Sequence, residues 1–297
     1  MTAFRAPRSE SARANASAPL KPQPFNARAI ADVAVRCLLL ELRTWPKPGL
    51  VSHIDNGSHK DMNADTFRAS AKAIAPYLIA LSDAGAAGCG MGRLRVIGIE
   101  AEAAMLAATG GINTHRGAIF GLGLLCAAAG ARAGGWADPA MPLGRVVSKL
   151  WGDDILNGPI PLSSHGEQAR RRFGAGGARM EAVRGFPSVY RIGLPALRRG
   201  LRLALGDSEA ARVEACFALI AAVEDTNLLH RRGIEGLRYA HETTRRFIDD
   251  GGVGLSDWRA RAKAVHDEFI ARWLSPGGSA DLLAMTLFVE NREGLSQ

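Results

Sequence analysis

The stretch Gly117-Ala-Ile-Phe-Gly-Leu-Gly-Leu-Leu-Cys-Ala-Ala-Ala-Gly-Ala131 is the longest apolar run in the chain. It falls short of the roughly 20 apolar residues that span a bilayer as a helix. It is rich in glycine and lacks the alternation of a strand, so it reads as a helix buried inside a protein core. Small side chains let helices approach closely, and the whole chain shares that bias: aromatics are 6%, while glycine supplies 34 of 297 residues. Apolar residues at 47% and charged ones at 22% exclude disorder and allow a sizeable core.

Outward from this run, helical periodicity dominates and no segment has strand character. Residues 27–43 place Ile30, Val33, Cys37, Leu38 and Leu40 on one broad face, and Pro46 and Pro48 stop the helix. Further helices are expected over 64–82, 93–108, 115–130, 189–204, 208–224, 230–249, 255–273 and 279–291, with Asp65, Thr114, Ser208 and Ser279 as N-caps. Polar loops fill 44–63, 109–114, 157–188, 225–229 and 274–279, and loops carry function more often than the elements they join. The expected fold is all-α: a single multi-helix domain over 27–297 behind a flexible tail over 1–26. The tail holds Arg5, Arg8 and Arg13 but no apolar run long enough for a signal peptide. Cys37, Cys89, Cys126 and Cys216 are scattered, so no disulfide framework or zinc site is indicated and a cytoplasmic setting fits.

The formal charge is +8, and nine arginines lie between His165 and Arg202 against only Glu167 and Glu181. No interleaved aromatics or nucleic-acid motif accompany them. The run is either a solvated helix face or a phosphate-binding surface, and no nucleic-acid or membrane partner is expected.

Four constellations carry chemistry. In Glu41-Leu-Arg-Thr-Trp-Pro-Lys47-Pro-Gly-Leu-Val-Ser-His53, a carboxylate ends a helix and a proline-stiffened loop presents a lysine; Asp55, His59, Lys60 and Asp61 follow. Such a set suits phosphates through the lysines and a hard cation through carboxylate oxygens, or it is a polar loop of self-bonded turns. Thr109-Gly110-Gly111-Ile-Asn113-Thr114-His115-Arg116 runs glycines into a helix start, where free N–H groups favour an anion. Gly176-Gly-Ala-Arg179-Met-Glu181-Ala-Val-Arg184 lacks the strand of a dinucleotide fingerprint, yet its guanidinium forks suit polyphosphate. Asp225-Thr-Asn227 places two oxygen ligands on one turn before Arg231, and Ser275-Pro-Gly277-Gly278-Ser279-Ala-Asp281 repeats the glycine-then-helix arrangement. His266-Asp267 has the H-D dipeptide of metal phosphohydrolases without further ligands nearby, and is set aside.

Six segments in order, Glu41–Val51, Gly57–Met62, Thr109–Phe120, Gly177–Pro187, Asp225–Arg231 and Ser275–Ala284, together resemble the triphosphoribosyl-dephospho-CoA synthase family, which serves malonate decarboxylase and citrate lyase. Trp45 intrudes at the family's T-P step, and Arg116 stands where lysine is frequent. Ser163-Ser164-His165-Gly166 looks closer to the malonate decarboxylase branch. The resemblance implies an all-helical transferase that joins ATP to 3′-dephospho-CoA and releases adenine. Its product would be passed on for attachment to an acyl-carrier subunit.

Cleaving the ribosyl–adenine bond builds oxocarbenium character and calls for a base, an acid and charge neutralisation. Within the matched motifs, the hypothesis that meets these demands takes Glu41 or Glu181 as base and His115 as proton donor to adenine. It implies Mg²⁺ on Asp61 or Asp225, with Asn227 and Asp281 as further ligands. Phosphates would meet Lys47, His59, Lys60, Gly110, Gly111, Asn113, Thr114, Arg116, Arg179, Arg184, Arg231, Ser275, Gly277, Gly278 and Ser279. The rival readings are a Mg²⁺-dependent helical hydrolase of ADP-ribose-type linkages and a basic binding module.

Overall fold

The apolar run forms the middle of helix α4 (Arg116–Ala133), in which every residue from Gly121 to Ala131 is buried. The computed structural model describes residues 25–159 and 176–294. Helix α2 (Ala64–Ala86) lies against α4 along a seam of small residues. A Cβ added at Gly85 would stand 1.9 Å from the Ala127 carbonyl oxygen, and one at Gly130 would stand 2.0 Å from that of Ser82. Backbone meets backbone there, so a single methyl forces the helices apart; overpacking of this kind costs about 1–3 kcal/mol.

The other helices wrap this pair. Helix α1 (Ala27–Arg43) is capped by Asn26, whose side chain accepts from the Ala29 N–H, and it packs on α2 and on α11 (Gly277–Glu293), which also covers α4. Helix α3 (Met91–Ala108) flanks α2. Helices α5 (Leu143–Asn157) and α6 (Gly177–Val183) pack on each other and on α4. A π turn at 189–193 runs into α7 (Leu194–Leu203), which pairs with α8 (Ser208–Ala222). Helix α9 (Thr226–Asp249) lies on α8 and is kinked at Gly233, where φ is 63°. Helix α10 (Trp258–Ala271) follows a short 3₁₀ turn. One apolar cluster draws residues from each of the eleven α-helices among the described residues, and a satellite holds Val213, Phe217, Phe247 and Val253. The all-α expectation holds: among the described residues there is no strand, and no helix is long and apolar enough to cross a membrane.

Helix ends differ from the sequence reading because caps, not periodicity, set them. Asn63 caps α2 in a reciprocal box with Thr66, which puts Asp65 inside the first turn. Asp207 rather than Ser208 caps α8, and α11 starts at Gly277, two residues before Ser279. Thr114 is likewise no cap, since α4 begins after His115. Helices α5 and α6 were not expected, although Leu143, Val146, Val147, Trp151 and Ile155 of α5 are buried at helical spacing. The tail expectation over residues 1–24, Ser163–Gly166 and Arg170 to Arg172 lie outside the described residues. Of the remaining arginine run, Arg198 pairs with Glu290 at 2.9 Å and Arg199 with Glu214 at 3.3 Å, so much of it binds helices together.

Candidate active site

The loop after α1 is folded inward by a buried clasp. His266 of α10 contacts the Lys47 carbonyl through Nδ1 and Asp55 through Nε2 at 3.1 Å. Burial raises the Asp55 pKa, but hydrogen bonds from His266, Gly57 and Trp45 outweigh it and hold the group at about 2. The set-aside histidine is therefore the pin of this loop. With the loop fixed, Lys47 is fully buried and its ammonium pairs with Glu41. Burial raises the Glu41 pKa against the pull of that ammonium.

At the start of α4, His115 is buried with its Nδ1 2.6 Å from the Ser70 hydroxyl, which in turn accepts from Thr114 at 2.7 Å. With Thr114 donating to it, Ser70 has its own proton to give to Nδ1, and the tautomer that accepts it carries the imidazole proton on Nε2. Burial, reinforced by Lys47, lowers the His115 pKa to about 4, so the ring is neutral at pH 7. It can donate a hydrogen bond there but is no imidazolium acid, which narrows the role expected of it. Asn113 accepts from the Arg116 N–H, and the Arg116 guanidinium pairs with Glu102 of α3 at 3.0 Å.

Two further carboxylates complete the floor. Asp225 caps α9 through Oδ1, which accepts from the N–H groups of Asn227 at 2.9 Å and Leu228 at 3.4 Å. Its Oδ2 accepts from the Ser279 N–H at 2.8 Å and the Ser279 hydroxyl at 3.0 Å. This one side chain thus ties the starts of α9 and α11 together. Asp281 faces the start of α4 and accepts from the Ala118 N–H. A Cβ at Gly117 would stand 2.0 Å from Asp281 Oδ2, so only glycine lets the carboxylate in. Burial first, then Glu41 and Asp225, push the Asp281 pKa well up. Burial also raises Asp225, against its four hydrogen bonds.

These groups line a cavity of about 1300 Å³, above the roughly 300–1,000 Å³ of a pocket for one small ligand. From the sequence set it gathers Glu41, His59, Asp61, Gly111, Asn113, Thr114, His115, Arg116, Arg179, Glu181 and Arg184. From the second half it adds Asp225, Asn227, Arg231, Ser275, Gly277, Gly278 and Asp281. The N-termini of α4, α9 and α11 open onto it; Asn113, Asp281 and Asp225 take several of their first-turn N–H groups, while the helix dipoles still favour anions. At the mouth, His59 lies 2.8 Å from the Ser275 hydroxyl and 3.3 Å from Arg231, and burial followed by Arg231 lowers its pKa.

Four expected residues do not line the cavity. Lys47 is buried under Glu41, Lys60 sits 4.9 Å over the Trp273 ring, Gly110 lies behind Gly111, and Ser279 is turned to Asp225. Arg179 is at the wall, but its guanidinium donates to the carbonyls of Ile155, Leu156, Gly158 and Pro159, capping the end of α5. Both oxygens of Glu181 accept from Ser188, at 2.7 Å from its hydroxyl and 3.2 Å from its N–H. Sequence reasoning missed Ser70 and Glu102, which orient His115 and Arg116. Ser70 stands at a buried position of a periodic helix, where a polar residue is itself a signal, whereas Glu102 is half-buried and carries no such signal.

The model of the CitG family, ATP:dephospho-CoA triphosphoribosyl transferase, matches residues 27–297. The chain belongs to this family. A relative from Azotobacter vinelandii, named "Probable 2-(5''-triphosphoribosyl)-3'-dephosphocoenzyme-A synthase", is 40% identical over 92% of this chain and 94% of its own length. Relatives of the same name from Stutzerimonas stutzeri and Vibrio cholerae are 40% and 37% identical, over 90% and 88% of this chain and 92% and 87% of their own lengths. No solved structure matches. The six motifs of the triphosphoribosyl transferase family are thus brought to one cavity, although some members serve its frame rather than its surface.

For Mg²⁺, no three His, Cys, Asp or Glu groups among the described residues form a cage. That ion takes only one or two carboxylates beside substrate phosphates and water. Asp225 has its acceptor positions filled, and Asn227 Nδ2 lies against Gly277. Asp61 keeps carboxylate oxygens for the cavity, whereas burial holds the Asp281 carboxyl well above the usual range, so the residues present fit the ion in that sparse manner.

Proposed function

We propose that this chain joins ATP to 3′-dephospho-CoA, forming 2′-(5″-triphosphoribosyl)-3′-dephospho-CoA and adenine. The observation that carries the reading is the single cavity lined by all six family motifs, with carboxylates on its floor and helix N-termini around them. Its volume suits two nucleotide substrates better than one.

In the reaction the C1′–N9 bond of ATP breaks. The acceptor's 2′-oxygen bonds to that carbon and loses its proton to a base, and adenine leaves with a proton. Glu41 and Asp281 face the cavity from its floor; we assign the base to Glu41, and the proton with which adenine leaves to Asp281, whose carboxyl burial holds well above the usual range. Glu181, held by Ser188, supports the wall instead. The neutral His115 offers its Nε2–H to a purine nitrogen of the leaving base. Arg231, Arg184, Arg116 and the N–H group at Gly278 receive phosphate oxygens. Mg²⁺, held by Asp61, would neutralise phosphate charge when bound.

The product is read as the precursor of the prosthetic group of an acyl-carrier subunit, of malonate decarboxylase rather than citrate lyase, in the cytoplasm. The resemblance at Ser163–Gly166 supports that branch, and neighbouring genes for citrate lyase subunits would sink it. Chromatography of adenine released from ATP and Mg²⁺, with and without 3′-dephospho-CoA, tests the chemistry. Release that needs the acceptor, with a product heavier by a triphosphoribosyl group, is expected. Release without the acceptor would mark a hydrolase instead.

A further inference from the structure

The cavity does not end at its ionic floor. It follows one face of α3 through Met91, Leu94, Gly98 and Glu102, a span of twelve residues or roughly 16 Å of helix at ~1.5 Å per residue. Leu124 and Met180 face this part from α4 and α6, and Ile99, an aliphatic residue, lines it while remaining 62% exposed. Its charged side chains are engaged elsewhere: Arg95 reaches the Asp154 carbonyl at 3.4 Å, and Glu102 holds Arg116.

Gly98 is the telling residue. It sits inside α3, where glycine is about 0.5–1 kcal/mol worse than alanine. No packing explains it, since among the described residues nothing lies within 4 Å of where its Cβ would stand. At Gly85, Gly117 and Gly130 the same test meets an atom at about 2 Å. Gly98 leaves bare backbone facing the cavity.

We infer that this lobe, along α3 from Glu102 to Met91, holds the pantetheine arm of the acceptor. The inference rests on the substrates proposed above. ATP carries charge along most of its length, whereas the acceptor alone has a long, neutral, amide-linked chain. That arm is about as long as four or five extended peptide units of ~3.3–3.6 Å, which matches the lobe. A thin chain against bare helix backbone gains contact along its whole length, and Gly98 gives it room.

The test compares wild type with Gly98→Ala and Gly98→Leu, measuring KM for 3′-dephospho-CoA, for ATP, and for ADP as an acceptor without the arm. Both variants are expected to fold, because the added side chain meets open space. Gly98→Leu is expected to raise KM for dephospho-CoA tenfold or more while KM for ATP stays within twofold. Wild type is expected to prefer dephospho-CoA over ADP, and Gly98→Leu to narrow that gap. Unchanged KM for dephospho-CoA, or an equal rise for ATP, would overturn the assignment. So would unfolding of Gly98→Leu with Gly98→Ala unaffected in KM, since that means a covered face. Absence of adenine release from wild type would instead bring down the proposed reaction, and the lobe with it.

Discussion

Replacing Lys47 by methionine isolates what the buried ion pair contributes. Lys47 is 0% exposed and its ammonium pairs with Glu41, whose carboxylate also lies within charge range of Asp281. Methionine fills the volume but leaves Glu41 as an unpaired charge in the core, which costs about 3–5 kcal/mol. At about 2 °C per kcal/mol for a domain of this size, the melting temperature should drop by roughly 6–10 °C. The sign with pH is also determined. Without the ammonium, the folded pKa of Glu41 rises further above its unfolded value, so the penalty is full at pH 8 and relieved as pH falls and Glu41 takes up a proton. Urea midpoints of wild type and Lys47→Met at pH 8 and pH 5 measure both effects, and adding Glu41→Gln should return at least half of the loss. A single mutant within 1 kcal/mol of wild type, with no pH dependence in the difference, would refute the buried-pair argument.

His115 binds a proton at about 4 when folded but near 6.5 when unfolded, so wild-type stability should fall by up to about 3 kcal/mol as pH drops from 6.5 to 4. Urea titrations of His115→Asn should lack that share of the slope. Gly117→Ala puts a methyl against Asp281, and we expect kcat to fall tenfold or more with a melting shift under 5 °C; full activity would show that Asp281 is free to move. Arg179→Ala releases the carbonyls at the end of α5 and should cost about 1–3 kcal/mol with KM for ATP unchanged, whereas Arg231→Ala should raise that KM. A raised KM without a stability loss would return Arg179 to the phosphate ligands.

Much of this was legible in residues. The apolar face of 27–43 and the run 117–131 announce packed helices because burial needs a helical period. Their ends were less legible, since Asn63 and Asp207 compete with equally plausible neighbours at Asp65 and Ser208, and only backbone direction decides. The motifs pointed to the site because their polar residues sit at helix starts that converge. What failed was the direction of long side chains. Lys47 reads as a surface lysine, and nothing in its own loop tells that His266, 219 residues away, draws the loop inward. Arg179 reads as a phosphate fork because the helix whose end it caps, α5, was not foreseen.

The α2–α4 seam bears on how this chain can diverge. At Gly85 and Gly130 even a Cβ meets backbone at about 2 Å, while at Gly98 on the cavity wall it meets nothing within 4 Å among the described residues. A saturation library scored for folded protein should therefore be nearly silent at the seam and crowded at position 98. Selective tolerance of that kind would let the lineage exchange the molecules it accepts while its frame stays fixed.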